Sequence, residues 1–510
     1  MECNILKQNV AANSIVFNKS AEYIIDSDFV LPDYYPEISK ILKCRVVPFV
    51  ATSIISGQTL AVDGSAAVNI IYISGSGEMG CFEQSIPFSK NFELDEAVSD
   101  YYVNATAKCA YANCRAVTER KIALHGAIGI CAKVTAKELN EIIQDVDSPD
   151  VVLNRGVAPA TTPIGTAEKS MLIEEELELG AGQPSATYIL RSEAKPTVKE
   201  CKIIGGKVVA KGEMSVYILY CSDSSKNPQA FKSIIPFSQI LDIKDLNENC
   251  KCSCTVELAM LDIKPRTSAG GEIRNFSLTA KLRFCAAASC ENDIPVLLNA
   301  YSTKYKSEIT KNDICFNKVV KSVNDDLVCK KSINLPVNDV GQISDIICDI
   351  SVKSNKIEDG TLNISGILQV GILLFDSAGS PAFCEDSAEF SYTLPLGLSG
   401  NLTAEPTVIA DPVSYTISAG NTIEISAVIK INATVCECTK IPVITNIKLD
   451  FESRKERANA NALVLYFAEA GEPIWDIAER YNSTPEEIAE INELNGNKVD
   501  APATLLIPIK

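Results

Sequence analysis

The amino-acid sequence predicts a mainly β protein, in which three repeated β-rich domains in tandem are followed by a small βααβ domain. Three observations lead to this prediction. An alternating apolar pattern led by a glycine occurs three times along the 510 residues, and a second alternating pattern follows each copy. Near the C-terminus the apolar residues change to helical spacing. Because 46% of the residues are apolar, the chain can fill several hydrophobic cores.

The first shared pattern predicts a β-hairpin in each copy. Apolar residues occupy every second position after the glycine, which is the period of a half-buried strand. A polar turn follows, and then a second strand that contains a shared phenylalanine. The shared positions are Gly64, Val68, Ile70 and Phe88 in the first copy, Gly212, Val216, Ile218 and Phe237 in the second, and Gly366, Val370, Ile372 and Phe390 in the third.

A second alternating strand closes each copy, at 122–130, 276–284 and 423–431. A repeat of this size is too long for a solenoid, so each copy is expected to have its own core. The predicted domains are 1–140, 168–292 and 314–440 for the repeats and 461–510 for the C-terminal domain. The segment 155–167, rich in small residues, Pro and Thr, and the polar segment 301–313 are predicted to be linkers.

Charge and histidine content limit the function. The net charge of −18 argues against a surface that neutralises phosphates, so nucleic acid is not an expected partner. His125 is the single histidine, which excludes most histidine-dependent catalysis, and no Walker-type loop is present. We therefore predict a protein that is not an enzyme and that has no catalytic residues, cofactor or metal.

The nineteen cysteines predict free thiols. Their number is odd, their spacing is irregular, and the first residues do not have the features of a secretion signal. We therefore expect a reducing cytosolic environment and unpaired cysteines. No apolar stretch approaches the ~18 residues of a spanning helix, so direct membrane insertion is not expected.

Three motifs have simpler explanations than a ligand site. Gly75-x-Gly77-x-x-Gly80 is followed by a strand and not by a helix, which predicts a hairpin turn and not a dinucleotide site. The alternating cysteines of 250–254 and 436–438 fit small strand residues better than zinc ligands. His125 lies out of phase with the apolar residues around it, and we expect it to be exposed on a strand.

The C-terminal segment 463–510 resembles a LysM domain. Its apolar residues form one helical stripe, and Thr484-Pro485-Glu486-Glu487 has the pattern of a capped second helix. The residues that carry the resemblance are Gly471, Ile474, Trp475, Ile477, Ala478, Tyr481, Ile488, Asn492, Leu505, Ile507 and Pro508.

The three upstream copies resemble the SPOCS domain of spore coat proteins, through the glycine-led strand and the Ile-Pro-Phe-Ser segment that follows it. SPOCS-type repeats before a C-terminal LysM domain are similar to the clostridial spore-coat morphogenetic proteins. That resemblance implies a partner, the ATPase of the coat basement layer, which the LysM domain would contact. It also implies a location in the mother-cell cytoplasm, at the forespore surface and in the spore coat.

The LysM register predicts an apolar face on its two-stranded sheet. Leu463, Leu465, Phe467 and Leu506 should point away from the helices, and Trp475 should be partly exposed on the first helix. Such a patch is a candidate for binding a protein, although the linker or the third repeat could cover it instead. The predicted partner-binding residues are Leu463, Leu465, Phe467, Gly471, Glu472, Pro473, Ile474, Trp475, Asn492 and Leu506.

Two functions from different classes remain open. The first is a scaffold whose β domains provide assembly surfaces, including for self-association, while the LysM domain binds a protein. The second is a spore-envelope protein whose LysM domain binds peptidoglycan or N-acetylglucosamine polymers. Gly471-Glu472-Pro473 stands where glycan-binding LysM domains have Gly-Asp-Thr or Gly-Asp-Ser. Pro473 has neither the backbone N–H nor the hydroxyl group of the Thr or Ser that it replaces. We therefore expect weak glycan binding at most.

Overall fold

The computed structural model describes residues 4–268, 270–337, 339–410, 414–418, 421–455 and 463–508. Strands dominate these residues, and the two helices lie near the C-terminus. The predicted fold class is confirmed. Among the described residues, no helix is both long enough and apolar enough to span a membrane.

The first repeat folds into two antiparallel sheets, which we call lobe 1. The strand orders are β1-β6-β5 and β2-β3-β4, and alternate residues of both sheets fill the core between them, with Val68 and Ile70 on one side and Ile128 and Ile130 on the other. The strands are β1 (Asn4–Val30), β2 (Ile38–Ser56), β3 (Thr59–Ser74), β4 (Met79–Glu93), β5 (Tyr101–Thr118) and β6 (Lys121–Asp147).

Lobes 2 and 3 repeat this topology, with orders β11-β12-β7 and β10-β9-β8 in lobe 2 and β13-β19-β17 and β14-β15-β16 in lobe 3. In lobe 3, two shorter strands pair with β19 in the place of β5. The strands of lobe 2 are β7 (Val151–Glu178), β8 (Tyr188–Ile204), β9 (Lys207–Ser222), β10 (Ser225–Leu241), β11 (Lys251–Thr267) and β12 (Ile273–Ser302). Those of lobe 3 are β13 (Tyr305–Asn334), β14 (Val340–Glu358), β15 (Thr361–Asp376), β16 (Pro381–Pro395), β17 (Leu402–Ala410), β18 (Ser414–Ile417) and β19 (Thr422–Arg454).

The predicted hairpin is present in all three lobes, and its shared glycine and phenylalanine are cross-strand partners. A Cβ added to Gly212 would lie 2.6 Å from Phe237 Cζ, and one added to Gly366 would lie 2.6 Å from Phe390 Cζ. Glycine is needed here because a Cβ would overlap both the aromatic ring and a backbone oxygen of the strand on the other side, which lies 2.1 Å away at Gly212 and 2.2 Å away at Gly366. The pairs are Gly64 with Phe88, Gly212 with Phe237, and Gly366 with Phe390.

The two segments predicted to be linkers are strands, so that prediction is wrong. Residues 155–167 lie in β7 and pair with β12, and 305–313 lie in β13 and pair with β19. The small residues of the first segment include Ala158 and Ala160, which are buried between lobes. Small side chains therefore allow close packing here and do not mark flexible chain. The predicted domain boundaries at 140, 168, 292, 314 and 440 fall inside strands.

The three lobes meet at equivalent positions, which gives the molecule an approximate threefold axis. The extended ends of the long strands bring Ile142, Val296 and Val443 into one buried cluster and Ile143, Leu297 and Ile444 into another. The central strands of the other sheets bring together Ile71, Leu219 and Leu373, which we call the axial cluster. Each of these sets holds one residue from the same place in each repeat. The lobes therefore pack against one another through shared hydrophobic clusters and are not independent domains joined by linkers.

Charged residues surround the axial cluster, and they differ between lobes. Lys43, Arg191 and Asp345 are the respective strand partners of Ile71, Leu219 and Leu373. Arg191 and Asp345 are buried and form a bidentate ion pair between lobes 2 and 3, with distances of 2.7 Å (Nε to Oδ2) and 3.0 Å (Nη2 to Oδ1). Tyr217 donates a further hydrogen bond of 2.9 Å to Asp345.

The C-terminal domain has the predicted βααβ order: β20 (Leu463–Ala468), α1 (Ile474–Tyr481), α2 (Pro485–Ile491) and β21 (Ala503–Pro508). The predicted start of the second helix is confirmed, since the Thr484 hydroxyl accepts a hydrogen bond of 3.3 Å from the Glu487 backbone N–H and Pro485 is the first helical residue. The two strands pair in antiparallel register.

Candidate functional site: the C-terminal domain

The sheet of the C-terminal domain has one buried and one exposed face, as predicted. Ala468, Leu505 and Ile507 are buried under the helices. The opposite face carries four apolar residues that we call the open face, and Leu465 and Leu506 are direct cross-strand partners on it. Their exposed fractions are Leu463 50%, Leu465 64%, Phe467 78% and Leu506 38%. A contiguous apolar face of this kind is typical of interaction sites.

The helical side of the domain packs against lobe 2. The rings of Tyr301 and Trp475 meet edge to face with their centroids 5.0 Å apart, and Val152 belongs to the same buried cluster. The Tyr301 hydroxyl donates a hydrogen bond of 2.7 Å to the backbone oxygen of Ser483. Trp475 is half-buried, so its ring already has a partner within the chain, and its role in binding another protein stays a prediction.

Polar contacts also hold the domain on lobe 2. The Lys455 ammonium donates to the Ser302 backbone oxygen at 2.8 Å and to Asn482 Oδ1 at 2.7 Å. Asn299 donates to the Glu479 carboxylate at 3.4 Å. Burial lowers the pKa of Lys455. The domain is therefore fixed by its helical side, which leaves the open face directed away from this contact.

The glycine turn of the domain uses its backbone groups internally. Gly471 donates to Val499 O at 2.7 Å, Val499 donates to Glu472 O at 3.0 Å, and Ile474 donates to Asn497 O at 3.0 Å. Gly471 has a φ of 84°, which favours glycine. Since Pro473 has no N–H, this turn offers few free backbone donors to a glycan.

The side chain of Glu472 is also engaged. It accepts a hydrogen bond of 2.6 Å from the Tyr466 hydroxyl, which in turn accepts one of 2.8 Å from Arg480. The hydrogen bond to Glu472 raises the pKa of Tyr466. Glu472 therefore stabilises the turn between β20 and α1.

Two further predicted binding residues have structural roles. Ile474 is 2% exposed and lies in the core, so a partner cannot touch it in the folded domain, and the prediction that it is a contact residue is wrong. Ile474 is one of the buried apolar residues on the inner face of α1. The Asn492 amide donates to Ile488 O and Leu506 O and accepts from the Leu506 N–H. Asn492 therefore ties α2 to β21, and its contact with a partner stays a prediction.

Sequence reasoning missed the residues outside the domain that hold it on lobe 2. Tyr301 lies in a segment that was predicted to be a linker, and its burial depends on a neighbour distant in sequence. A lone tyrosine in polar surroundings carries no signal for such a contact. Lys455 directly follows β19 of lobe 3, in a charged stretch whose composition does not indicate these contacts.

The other motifs lie on strands and turns. Gly75 and Gly77 form the β3–β4 turn, which confirms the hairpin prediction, and His125 is exposed on β6, also as predicted. The prediction that all cysteines are unpaired is wrong, because Cys250 and Cys290 form a disulfide. Their positions continue the β11–β12 ladder as direct neighbours, with a Cα–Cα distance of 4.4 Å, which suits a disulfide.

Comparison with known families identifies the domains. The family described as SipL, SPOCS domain, matches residues 37–117 and 185–265, which correspond to β2–β5 of lobe 1 and β8–β11 of lobe 2. The LysM domain family matches residues 469–508. Lobe 3 lies outside the SPOCS matches, although its strands pair in the same order. No curated protein and no solved structure matches the chain. The chain thus contains two recognised SPOCS domains and a LysM domain.

Proposed function

We propose that the protein is a non-enzymatic scaffold of spore coat assembly, whose LysM domain binds a protein through the open face. The observation that carries this proposal is the exposure of Leu463, Leu465, Phe467 and Leu506 on the side opposite the contact with lobe 2. An apolar surface gains free energy when a partner removes it from water. The domain does not need to leave lobe 2 for this face to be reached.

The charge of the LysM domain supports a partner with basic residues around an apolar strip. Acidic residues outnumber basic ones between 469 and 493, where Arg480 is the single base. The negative electrostatic potential of these residues attracts a basic protein surface and repels anionic polymers. The acidic residues of this segment are Glu469, Glu472, Asp476, Glu479, Glu486, Glu487, Glu490 and Glu493.

The partner in this proposal is a coat morphogenetic ATPase, and the protein acts in the mother-cell cytoplasm, where it links the coat to the forespore surface. The SPOCS and LysM domains in one chain support a role in sporulation. LysM domains in general point to peptidoglycan or glycan, which is the second candidate. The internal hydrogen bonds of the Gly471 turn and the missing N–H of Pro473 favour the protein partner over the glycan.

The test measures binding of the full-length chain to the purified ATPase on one arm and to insoluble peptidoglycan on the other. Phe467→Glu places a charge at the most exposed residue of the open face. If Phe467 is a binding hot spot worth about 2 kcal/mol, affinity for the ATPase falls about thirtyfold. The matched control is Ile234→Glu on β10, where the side chain is 62% exposed, and its affinity stays that of the parent.

Two results would overturn the proposal. If Phe467→Glu binds the ATPase as tightly as the parent does, the open face is not the docking surface. If the parent is retained by peptidoglycan and does not bind the ATPase, the glycan-binding function replaces the scaffold function. Circular dichroism of each variant confirms that it is folded before binding is compared.

A further inference from the structure

Three pairs of thiols lie in contact within the lobes. Cys201 Sγ and Cys252 Sγ are 3.3 Å apart, and Cys315 Sγ and Cys438 Sγ are 2.9 Å apart. Cys44 and Cys114 pack against the same core of lobe 1, and the interaction between their thiols raises the pKa of Cys44. These six residues come from six different strands that are distant in sequence, so the fold itself brings each pair together.

Two of the pairs join equivalent strands in lobes 1 and 2. Cys44 and Cys114 connect β2 with β5 in lobe 1, and Cys201 and Cys252 connect β8 with β11 in lobe 2. These strands belong to opposite sheets of their lobe. A covalent bond at either pair would close one side of the two-sheet sandwich. The two pairs do not occupy equivalent sequence positions, so each lobe has its own pair at this seam.

The third pair and the existing disulfide lie within single sheets. Cys315 and Cys438 are diagonal neighbours on β13 and β19, since Cys438 pairs with Asn317. Diagonal positions on a sheet face lie further apart than directly opposite ones, but here the two sulfur atoms are in contact. The Cys250–Cys290 disulfide lies beside Cys252 on β11, which shows that this region of lobe 2 accommodates a cross-strand disulfide.

We propose that Cys44–Cys114, Cys201–Cys252 and Cys315–Cys438 are oxidative modification sites, at which disulfides lock the lobes after the chain has folded. The co-reactant is a small-molecule disulfide such as oxidised glutathione. A protein thiolate attacks one of its sulfurs and releases one small thiol. The second protein thiolate then attacks the mixed disulfide and releases the other. Two protein thiols lose two electrons and two protons in total, and the reagent becomes two thiols.

The surroundings of the thiols shift their pKa values. The hydrogen bond to Cys44 lowers the pKa of Cys114, which makes Cys114 the attacking thiolate in its pair. Burial raises the pKa of Cys201 above its ordinary value and that of Cys438 to about 11. All three pairs should close faster as the pH rises, because the thiolate is the attacking species.

The test uses the full-length protein, reduced and then freed of reductant. It is treated with oxidised glutathione, denatured, alkylated with N-ethylmaleimide and digested without reduction for mass spectrometry. The proposal requires peptides linked through the three named pairs, a loss of two alkylated thiols for each pair, and a higher melting temperature after oxidation. Cys114→Ser leaves Cys44 alkylated and the other two links intact.

The matched control is Cys329→Ser. Burial alone raises the pKa of the Cys329 thiol, and its removal should leave all three links unchanged. Two results overturn the proposal: full alkylation of the six named cysteines after oxidation, or links from Cys44 or Cys201 mainly to other neighbours such as Cys109 or Cys254. Because the peptide map reads the parent directly, the outcome does not depend on how a variant folds, and it is independent of what the LysM domain binds.

Discussion

Replacement of Asp345 by alanine should destabilise the junction of the three lobes by about 4 kcal/mol. Asp345 is 6% exposed and Arg191 5% exposed, so both charges are removed from water. Breaking a buried pair by deleting one partner costs about 3–5 kcal/mol because the other charge stays buried without full compensation. The hydrogen bond from Tyr217 is lost as well, while Glu193, 2.6 Å from Arg191, offsets part of the cost.

The measurement is the free energy of unfolding in urea. Circular dichroism reports the β lobes, and the fluorescence of Trp475, the only tryptophan, reports the LysM domain and its contact with lobe 2. Asp349→Ala is the matched control, since the Asp349 carboxylate pairs with Arg45 at 3.1 Å but is 59% exposed. Removal of such a surface partner costs at most about 1 kcal/mol.

The double variant Arg191→Met/Asp345→Leu tests the reasoning further. With both charges replaced by apolar groups of similar size, no buried charge is left alone, and most of the stability should return. A loss of less than 1 kcal/mol in Asp345→Ala would refute the argument, since it would mean that water or another group compensates Arg191. A double variant no more stable than Asp345→Ala would instead show that the pair is needed for packing.

Three further predictions address other parts of the molecule. Tyr301→Ala should release the LysM domain from lobe 2, which would be seen as a red shift of Trp475 emission. Tyr301→Phe keeps the ring contact and should shift the emission little. An emission spectrum of Tyr301→Ala equal to that of the parent would contradict the contact. Gly212→Ala should cost about 1–3 kcal/mol in unfolding free energy, because the new methyl group would lie 2.1 Å from the Thr197 backbone oxygen and 2.6 Å from Phe237 Cζ; an unchanged stability would contradict this close packing. Although burial opposes it, Arg45 and Arg191 lower the pKa of Glu193 to about 2. This depressed pKa stabilises the fold above the unfolded value near 4.5, and up to about 3 kcal/mol should be lost as the pH falls from there toward 2; Glu193→Gln should abolish this part of the pH dependence in urea unfolding.

The sequence was most informative where a pattern repeats. Gly212 and Phe237 were recognised as shared positions, and they form a cross-strand pair because the same steric need recurs in each lobe. The segment 155–167 misled for a physical reason, since small residues serve flexible linkers and close strand packing equally well. Cys250 and Cys290 belong to separate strands whose register no local pattern reveals.

The candidate site divides in the same way. The exposure of Leu465 and Phe467 followed from strand alternation and the position of the helices, both of which are local. The packing of Trp475 on Tyr301 depends on how a small domain lies against a lobe that precedes it in the chain. Such a contact is set by the shape of two folded surfaces, so the sequence of either one is insufficient to predict it.

The approximate threefold axis formed by one continuous chain has a consequence for stoichiometry. Three identical subunits around such an axis would offer three copies of every surface, and each appended domain would also be present three times. Here the lobes have diverged, and the LysM domain rests on Tyr301 of lobe 2. Each chain therefore carries one recognised LysM domain, and a partner that bound it would be present at one copy for every three lobes. If the open face binds a partner as proposed, attachment through one domain per chain would not cross-link that partner into clusters.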